Sequence, residues 1–145
     1  MEENFEEILF ASPDYDETLS LRFLVLREPL GLEYTSSQIE EEWNQKCFVI
    51  RNEMQQIIAC LLFEILSSDE LKMRQVVVHP KYQSQGIGSL LVKKSESWAR
   101  KNNYKFISLH ARNPAVPFYL KLNYKIQGGE FVEVGIPHFV MIREL

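Results

Sequence analysis

VVVHPKYQSQGIGSLL, Val76 to Leu91, passes from a β-branched apolar block through His-Pro into a glycine-spaced polar loop, and then into a helical pattern. A loop that enters a helix presents several backbone N–H groups without intrahelical partners, and the helix dipole adds positive character there. Both favour an anion such as a pyrophosphate. Gly86 and Gly88 let a phosphate come close to the backbone, and Gln83 and Gln85 can add amide donors. A tight strand-to-helix turn is the competing reading of the two glycines. The stretch lacks the Gly-Lys-Ser/Thr of a Walker loop, and it lacks the third glycine and downstream acid of a dinucleotide fingerprint.

Outward from this loop, the periodicity predicts an alternating chain. Towards the N-terminus, residues Phe5 to Ala11 read as a first strand, followed by SPDYDE as turn and helix cap. ETLSLRFLVLREPLG has apolar residues at Leu19, Phe23, Leu26 and Leu30 with helical spacing, stopped at Pro29-Leu-Gly31. YTSSQIEEEWNQK starts with capping Ser/Thr and acidic residues, so it reads as a second helix or helical loop. CFVIRN and QQIIACLLFEILSS are strands meeting near Asn52-Glu53, and LKMRQVVV is a fourth. Beyond the loop, GIGSLLVKKSESWARKN is an amphipathic helix and FISLHA a strand. NPAVPFYLKLN is a short helix, YKIQG a strand, and GIPHFVMIREL the last strand. The order β-α-α-β-β-β-α-β-α-β-β predicts an α/β (α+β) fold. Adjacent strands suggest an antiparallel meander and the later strand-helix-strand a parallel crossover, giving a mixed sheet with helices on both faces.

The 145 residues predict one domain, 1–145. Hydrophobic residues make up 46% and charged residues 25%, an ordinary globular balance. A net charge of −4 without runs of like charge disfavours nucleic acid as a partner. No apolar run approaches the roughly 20 residues that span a bilayer, and the acidic start MEENFEEILF is unlike a signal peptide. The expectation is a cytoplasmic protein that contacts no membrane. Cys47 and Cys60 sit in apolar strand segments, reading as small core residues rather than as a disulfide or metal site.

VVVHPKYQSQGIGSLLV resembles the acetyl-CoA signature of the GNAT N-acetyltransferase family, Gln/Arg-x-x-Gly-x-Gly/Ala after a strand, with Gln83, Gly86 and Gly88 in matching positions. NPAVPFYLKLNY resembles that family's Asn-x-x-Ala-x-x-Phe-Tyr-x-x-x-Gly-Phe segment. Asn113, Phe118 and Tyr119 match; Asn123-Tyr124 stands in place of Gly-Phe, and Asn tolerates the left-handed backbone that glycine would supply. The element order is also that family's. The resemblance implies a mostly antiparallel central sheet of the GNAT acyl-CoA N-acyltransferase fold, with acetyl-CoA as cosubstrate. It implies pyrophosphate on the amides of Gln83, Ser84, Gln85, Gly86, Ile87, Gly88 and Ser89. The pantetheine arm would lie beside Val76, Val77 and Val78, at a strand that normally carries a bulge. Backbone amides near Val77 or Val78 would polarise the thioester carbonyl. Asn113 and Phe118 would line the cofactor arm, and Tyr119 would protonate the departing thiolate. The bland reading of Tyr119 is a core aromatic.

The strings SLRFLVLR, LKMRQ, HARN and GIPHFVM resemble the branch that includes glyphosate N-acetyltransferase. That resemblance implies Arg22, Arg74 and Arg112 as anion-binding residues of a small acidic amine, and His138 as the catalytic base. Arginines in apolar elements need anionic partners when buried, and a guanidinium fork suits a carboxylate or phosphonate. Internal acids such as Glu64 or Glu33 are the alternative partners. Histidine titrates near neutrality, which suits proton removal. His110, on the face of its strand shared with Arg112, competes for that role or lines the substrate site. The function implied is acetyl transfer to a primary or secondary amine by direct attack in a ternary complex. A protein or peptide acetyltransferase and a non-catalytic acyl-CoA-binding module are the alternatives; a homodimer is left open.

Overall fold

The computed structural model describes residues 4–145, with 1–3 outside the described residues. Seven strands form one sheet: β1 (Phe5–Ile8), β2 (Lys46–Arg51), β3 (Ile57–Ile65), β4 (Glu70–Val78), β5 (Phe106–Arg112), β6 (Lys125–Glu133) and β7 (Ile136–Glu144). Their spatial order is β1-β2-β3-β4-β5-β7-β6. All neighbours are antiparallel except β4 and β5, which run parallel. Their connection is α3 (Ile87–Lys101), as a parallel crossover requires.

Helices cover both faces. On one, α1 (Pro13–Arg22) packs Tyr15 and Leu21 against Cys47, Val49, Cys60, Leu62 and Val77. On the other, α3 buries Leu91, Val92 and Ala99 against Phe48, Leu61, Phe63 and Ile107. Each fully buried Leu or Phe contributes about 1.5–3 kcal/mol, so this second face carries most of the core. Within it, the buried Glu96 accepts from the Tyr124 hydroxyl at 2.8 Å and from Arg143 at 2.9 Å. Both cysteines are buried and free.

The mixed fold and the crossover agree with the sequence reading, while several boundaries differ. The first strand stops at Ile8, because Ala11 turns left-handed (φ 61°) and Ser12 caps α1. That helix therefore starts at Pro13 and includes most of SPDYDE. Its buried face is Tyr15, Thr18, Leu21 and Arg22 rather than the Leu19–Leu30 stripe. From Phe23 to Arg27 the winding becomes π-helical, and Glu28–Leu30 is a 3-10 turn. The second helix, α2, is only Ser36–Glu40, closed by a capping box between Thr35 and Gln38. After α3 and β5, Asn113–Ala115 forms a 3-10 turn and α4 spans Val116–Lys121. Asn123 has φ 72°, taking up the left-handed position expected of it. β6 runs on past Gly128 to Glu133 through a register irregularity between Gln127 and Phe131.

Two features of β4 open the sheet. Pairing with β5 covers only Glu70–Met73 against Phe106–Leu109, so the β5-facing edge of β4 from Arg74 to Val78 has no strand partner among the described residues. On the other edge, Leu62 faces Arg74 and Cys60 faces Val77, so Leu61 stands against two residues, Gln75 and Val76. This is a β-bulge, with Gln75 at φ 55°. The extra residue shifts the side-chain alternation. Leu71, Met73, Val76 and Val78 pack towards α3, while Val77 packs towards α1. The three consecutive valines follow a strand whose parity has been reset at Gln75, the bulge that the family resemblance implied.

Candidate active site

The gap between β4 and β5 is a cavity of about 410 Å³. Met73, Arg74, Gln75 and Val76 form one wall, and Leu109, His110, Ala111 and Arg112 the other. Leu26, Arg27, Leu30 and Leu32 close one end from the segment after α1. Tyr119 of α4 and His138 of β7 also face it, as do Glu133 and Val134 from the β6–β7 turn. Six residues proposed from sequence, Arg74, Val76, His110, Arg112, Tyr119 and His138, therefore meet in one cavity although 64 positions separate the first from the last.

His138 is 7% exposed. Its Nδ1 lies 2.7 Å from the carbonyl oxygen of Ile136. A carbonyl only accepts, so Nδ1 carries the hydrogen and Nε2 keeps its lone pair in the neutral ring. His138 stands opposite Arg112 in the β5–β7 register and opposite Phe131 in the β6–β7 register. His110 is engaged differently: its Nδ1 is 2.9 Å from Glu133 Oε2. Burial raises the Glu133 carboxyl, but the hydrogen bond and charge of His110 outweigh it and leave its pKa lowered. Glu133 is thus a carboxylate in this wall at neutral pH.

Tyr119 is buried, in edge-to-face contact with Phe118 and Tyr124. Burial raises its hydroxyl above the ordinary phenol range, so it remains a proton donor at any physiological pH. The hydroxyl has no hydrogen-bond partner among the described residues.

The arginines divide. Arg22 was expected at the substrate, but its side chain is 1% exposed and makes a bidentate pair with Glu42 at 2.8 and 2.7 Å. Its anionic partner comes from the chain itself, and it does not line the cavity. The pairing acid is Glu42, not Glu33 or Glu64. Arg74 does line the cavity, with Nη1 donating to Gln45 Oε1 at 2.8 Å and lying 3.5 Å from Glu42. Arg112 reaches only the carbonyl oxygen of Leu26, at 3.5 Å. Arg27, which the sequence reading passed over, stacks on the Tyr34 ring at 4.6 Å. Neither Arg27 nor Arg112 has a carboxylate partner among the described residues. Lys72 is a fourth cation in the lining, against Glu133 as its carboxylate.

The glycine loop follows the end of β4 and leads into α3. Gly86 caps α3 at φ 82°, and Ser84 is also left-handed at φ 63°. The amides from Ser84 to Ser89 have no backbone acceptor in the loop or first helical turn; the ladder begins at Leu90, which donates to Gly86. A row of free N–H groups at the start of a 15-residue helix is a geometry that suits an anion. The side chains of Gln83 and Gln85 face elsewhere than expected, donating to the carbonyl oxygens of Val78 at 3.0 Å and Lys81 at 3.2 Å. They brace the loop, leaving the backbone as donor. A Cβ on Gly88 would meet Phe118 at 3.4 Å and Val78 at 3.6 Å. Gly88 thus has a packing reason as well, seating α4 on α3. Asn113 is exposed and outside the cavity lining. No cluster of metal-ligating side chains occurs among the described residues.

Comparison with known proteins gives this geometry a family. The Bacillus subtilis (strain 168) protein YyaT is 32% identical over 74 residues, which are 51% of this chain and 50% of that protein. The chain thus spans about half the length of the curated relatives it matches. A crystal structure of aminoglycoside 6'-N-acetyltransferase complexed with coenzyme A superposes with a TM-score of 0.79 at 17% identity, covering 97% of this chain and 96% of that one. A GNAT family acetyltransferase from Elizabethkingia anophelis with acetyl-CoA bound gives 0.73 at 20% identity, covering 98% and 99%. At these identities the superpositions establish a shared fold. The profile of the acetyltransferase (GNAT) family matches residues 12–124, and the chain belongs to that family.

Proposed function

We propose that this chain is an acetyl-CoA-dependent N-acetyltransferase whose acceptor is a small amine carrying a carboxylate or phosphonate. One observation carries the reading: Tyr119, His138, Arg74 and Arg112 converge on the cavity along the unpaired edge of β4, the strand that runs on into the loop with the free amides of residues 84–89.

The residues divide the work as follows. The 84–89 amides hold the pyrophosphate of acetyl-CoA, with the dipole of α3 behind them. Amides on the unpaired edge of β4 hold the pantetheine arm and donate to the thioester oxygen as it gains charge. His138 Nε2 removes a proton from the acceptor ammonium, which has no lone pair until that proton leaves. The amine then attacks the carbonyl carbon, forming the C–N bond. When the tetrahedral species collapses, the C–S bond breaks and Tyr119 gives its proton to the thiolate. Arg112 and Arg27, with no carboxylate partner among the described residues, can hold the acidic group of the acceptor, and Arg74 also lines the cavity. An anion entering this end of the cavity answers an excess of positive charge.

A thiol-release assay tests this reading. Acetyl-CoA is offered with amino acids, aminophosphonates, polyamines, neutral arylamines and a lysine peptide. Release with the acidic amines supports the proposal. A peptide as the best acceptor would replace the small-molecule reading, and binding without release from any amine would replace the enzyme by an acyl-CoA-binding module.

A further inference from the structure

The buried pair Arg22–Glu42 poses a question that substrate binding does not answer. The pair sits beside the one strained residue of β4. Arg22 Nε donates to Gln75 Oε1 at 3.2 Å, and the Tyr34 hydroxyl donates to the same oxygen at 2.5 Å. Gln75 is the residue at φ 55° that makes the bulge. Such a conformation disfavours a residue with a Cβ and persists only where its surroundings hold it. Here the side-chain amide oxygen is held by two donors from outside the strand.

Those donors are themselves fixed. Both terminal nitrogens of the Arg22 guanidinium, Nη1 and Nη2, are engaged by Glu42, and its carbon Cζ lies 4.9 Å from the Tyr34 ring centroid. Glu42 also accepts from the buried Tyr15 hydroxyl, close by in α1. Desolvation lowers the Arg22 pKa, but the hydrogen bond and charge of Glu42 overcome it, leaving the group firmly cationic. The same carboxylate lies 3.5 Å from Arg74, the cavity residue preceding Gln75. One buried carboxylate thus braces two consecutive residues of β4, at the place where its β5-facing edge becomes unpaired.

We propose that Glu42 and Arg22, acting through Gln75 with Tyr34, are positioning residues. They hold the β4 bulge so that the strand's free amides point at the thioester oxygen. Burying an ion pair is a poor way to gain stability alone, whereas a bulge that aims backbone donors needs a rigid brace. The inference rests on the proposed acetyl transfer.

The test compares wild type with Tyr34→Phe, Glu42→Gln, Gln75→Met and Gln75→Glu. Each is assayed for turnover and for affinity towards acetyl-CoA, coenzyme A and ethyl-CoA, the thioether that lacks the carbonyl. Wild type should bind acetyl-CoA more tightly than ethyl-CoA. Tyr34→Phe, Glu42→Gln and Gln75→Met should lose that preference and drop kcat on the order of tenfold or more, while affinity for coenzyme A itself stays within about twofold. Gln75→Glu keeps an oxygen acceptor for both donors and should be the least impaired. Tyr34→Phe removes one hydroxyl and leaves the ion pair intact, so it decides the matter if Glu42→Gln does not fold. Folded variants with wild-type kcat and wild-type preference would overturn the proposal, leaving the network a matter of stability only. Absence of both turnover and carbonyl preference in wild type would overturn the acetyl-transfer reading, and this inference with it.

Discussion

The Nδ1 of His138 lies 2.7 Å from the carbonyl oxygen of Ile136, two residues earlier on the same strand. This short contact fixes which nitrogen carries the hydrogen and leaves Nε2 of this cavity-lining residue as an acceptor. His110, whose Nδ1 is bound to Glu133, is a histidine of different design. His138→Ala should lower turnover about 10²–10⁴-fold at neutral pH and leave acetyl-CoA binding intact; His110→Ala should cost much less. An imidazole base must be neutral to act, so log kcat/KM should rise with pH and level off. Initial rates across pH 5.5–8.5 check this, and a stronger effect at His110 would exchange the roles.

In the proposed mechanism Tyr119 supplies the opposite half of the proton balance. Tyr119→Phe should keep coenzyme affinity and lower kcat by at least about 10²-fold. Because burial raises its pKa, the phenol stays protonated where a free tyrosine would begin to ionise. Any alkaline fall in kcat due to this group should therefore lie above pH 10. Tyr15 and Tyr124 are also raised, each first by burial and then by an acid partner, Glu42 or Glu96. Groups raised on folding favour the folded state fully below the unfolded value, near 10, and lose that contribution as pH rises through the folded one. Thermal melts should show stability declining above about pH 10.

The arginines should separate into two classes. Arg112→Lys should raise KM for an acidic acceptor, because an ammonium cannot form the bidentate fork, with little change in melting temperature. Arg22→Met should instead destabilise the fold by about 3–5 kcal/mol, since it leaves Glu42 charged and buried. Chemical denaturation beside acceptor kinetics separates the two. Equal stability loss at both positions would contradict the assignment.

The amide cradle can be probed without disturbing either glycine. Ser89→Glu puts a carboxylate in the first turn of α3, which the helix dipole favours, yet the same charge repels a pyrophosphate. The variant should melt at or slightly above the wild-type temperature while losing the melting shift with acetyl-CoA. Ligand at 100 times its dissociation constant is worth about 2.7 kcal/mol in wild type. A retained shift would place the phosphates elsewhere.

Much of this was legible in residue order. Gly-x-Gly before an amphipathic helix sits where the loop amides are left without backbone acceptors, and the strand expected to carry a bulge has one at Gln75, because both effects act within a few residues. What was hidden depends on contacts across the chain. Arg22 looked like a ligand-binding residue because its partner, Glu42, stands among exposed neighbours in IEEEW, where nothing local distinguishes it. Glu133 was missed because the strand was ended at Gly128. Its segment FVE inverts the usual alternation: Val132 is 71% exposed, while Glu133 turns to His110. A glutamate in the inward register beside an outward valine was the available signal. Arg27 could not be placed, since the π-helical turn from Phe23 rotates it away from where α-helical spacing puts it.

The central claim, acetyl transfer to an amine that bears an anion, is tested most directly by a matched pair. Thiol release from acetyl-CoA is followed with an amino acid and with its carboxamide, at equal pH and corrected for the different amine pKa values. The account predicts a kcat/KM at least about tenfold higher for the acid, equivalent to one charge-assisted contact of roughly 1.4 kcal/mol or more, and collapse of that ratio in Arg112→Lys. Equal rates for the two amines, or no thiol release with either while acetyl-CoA still binds, would contradict it.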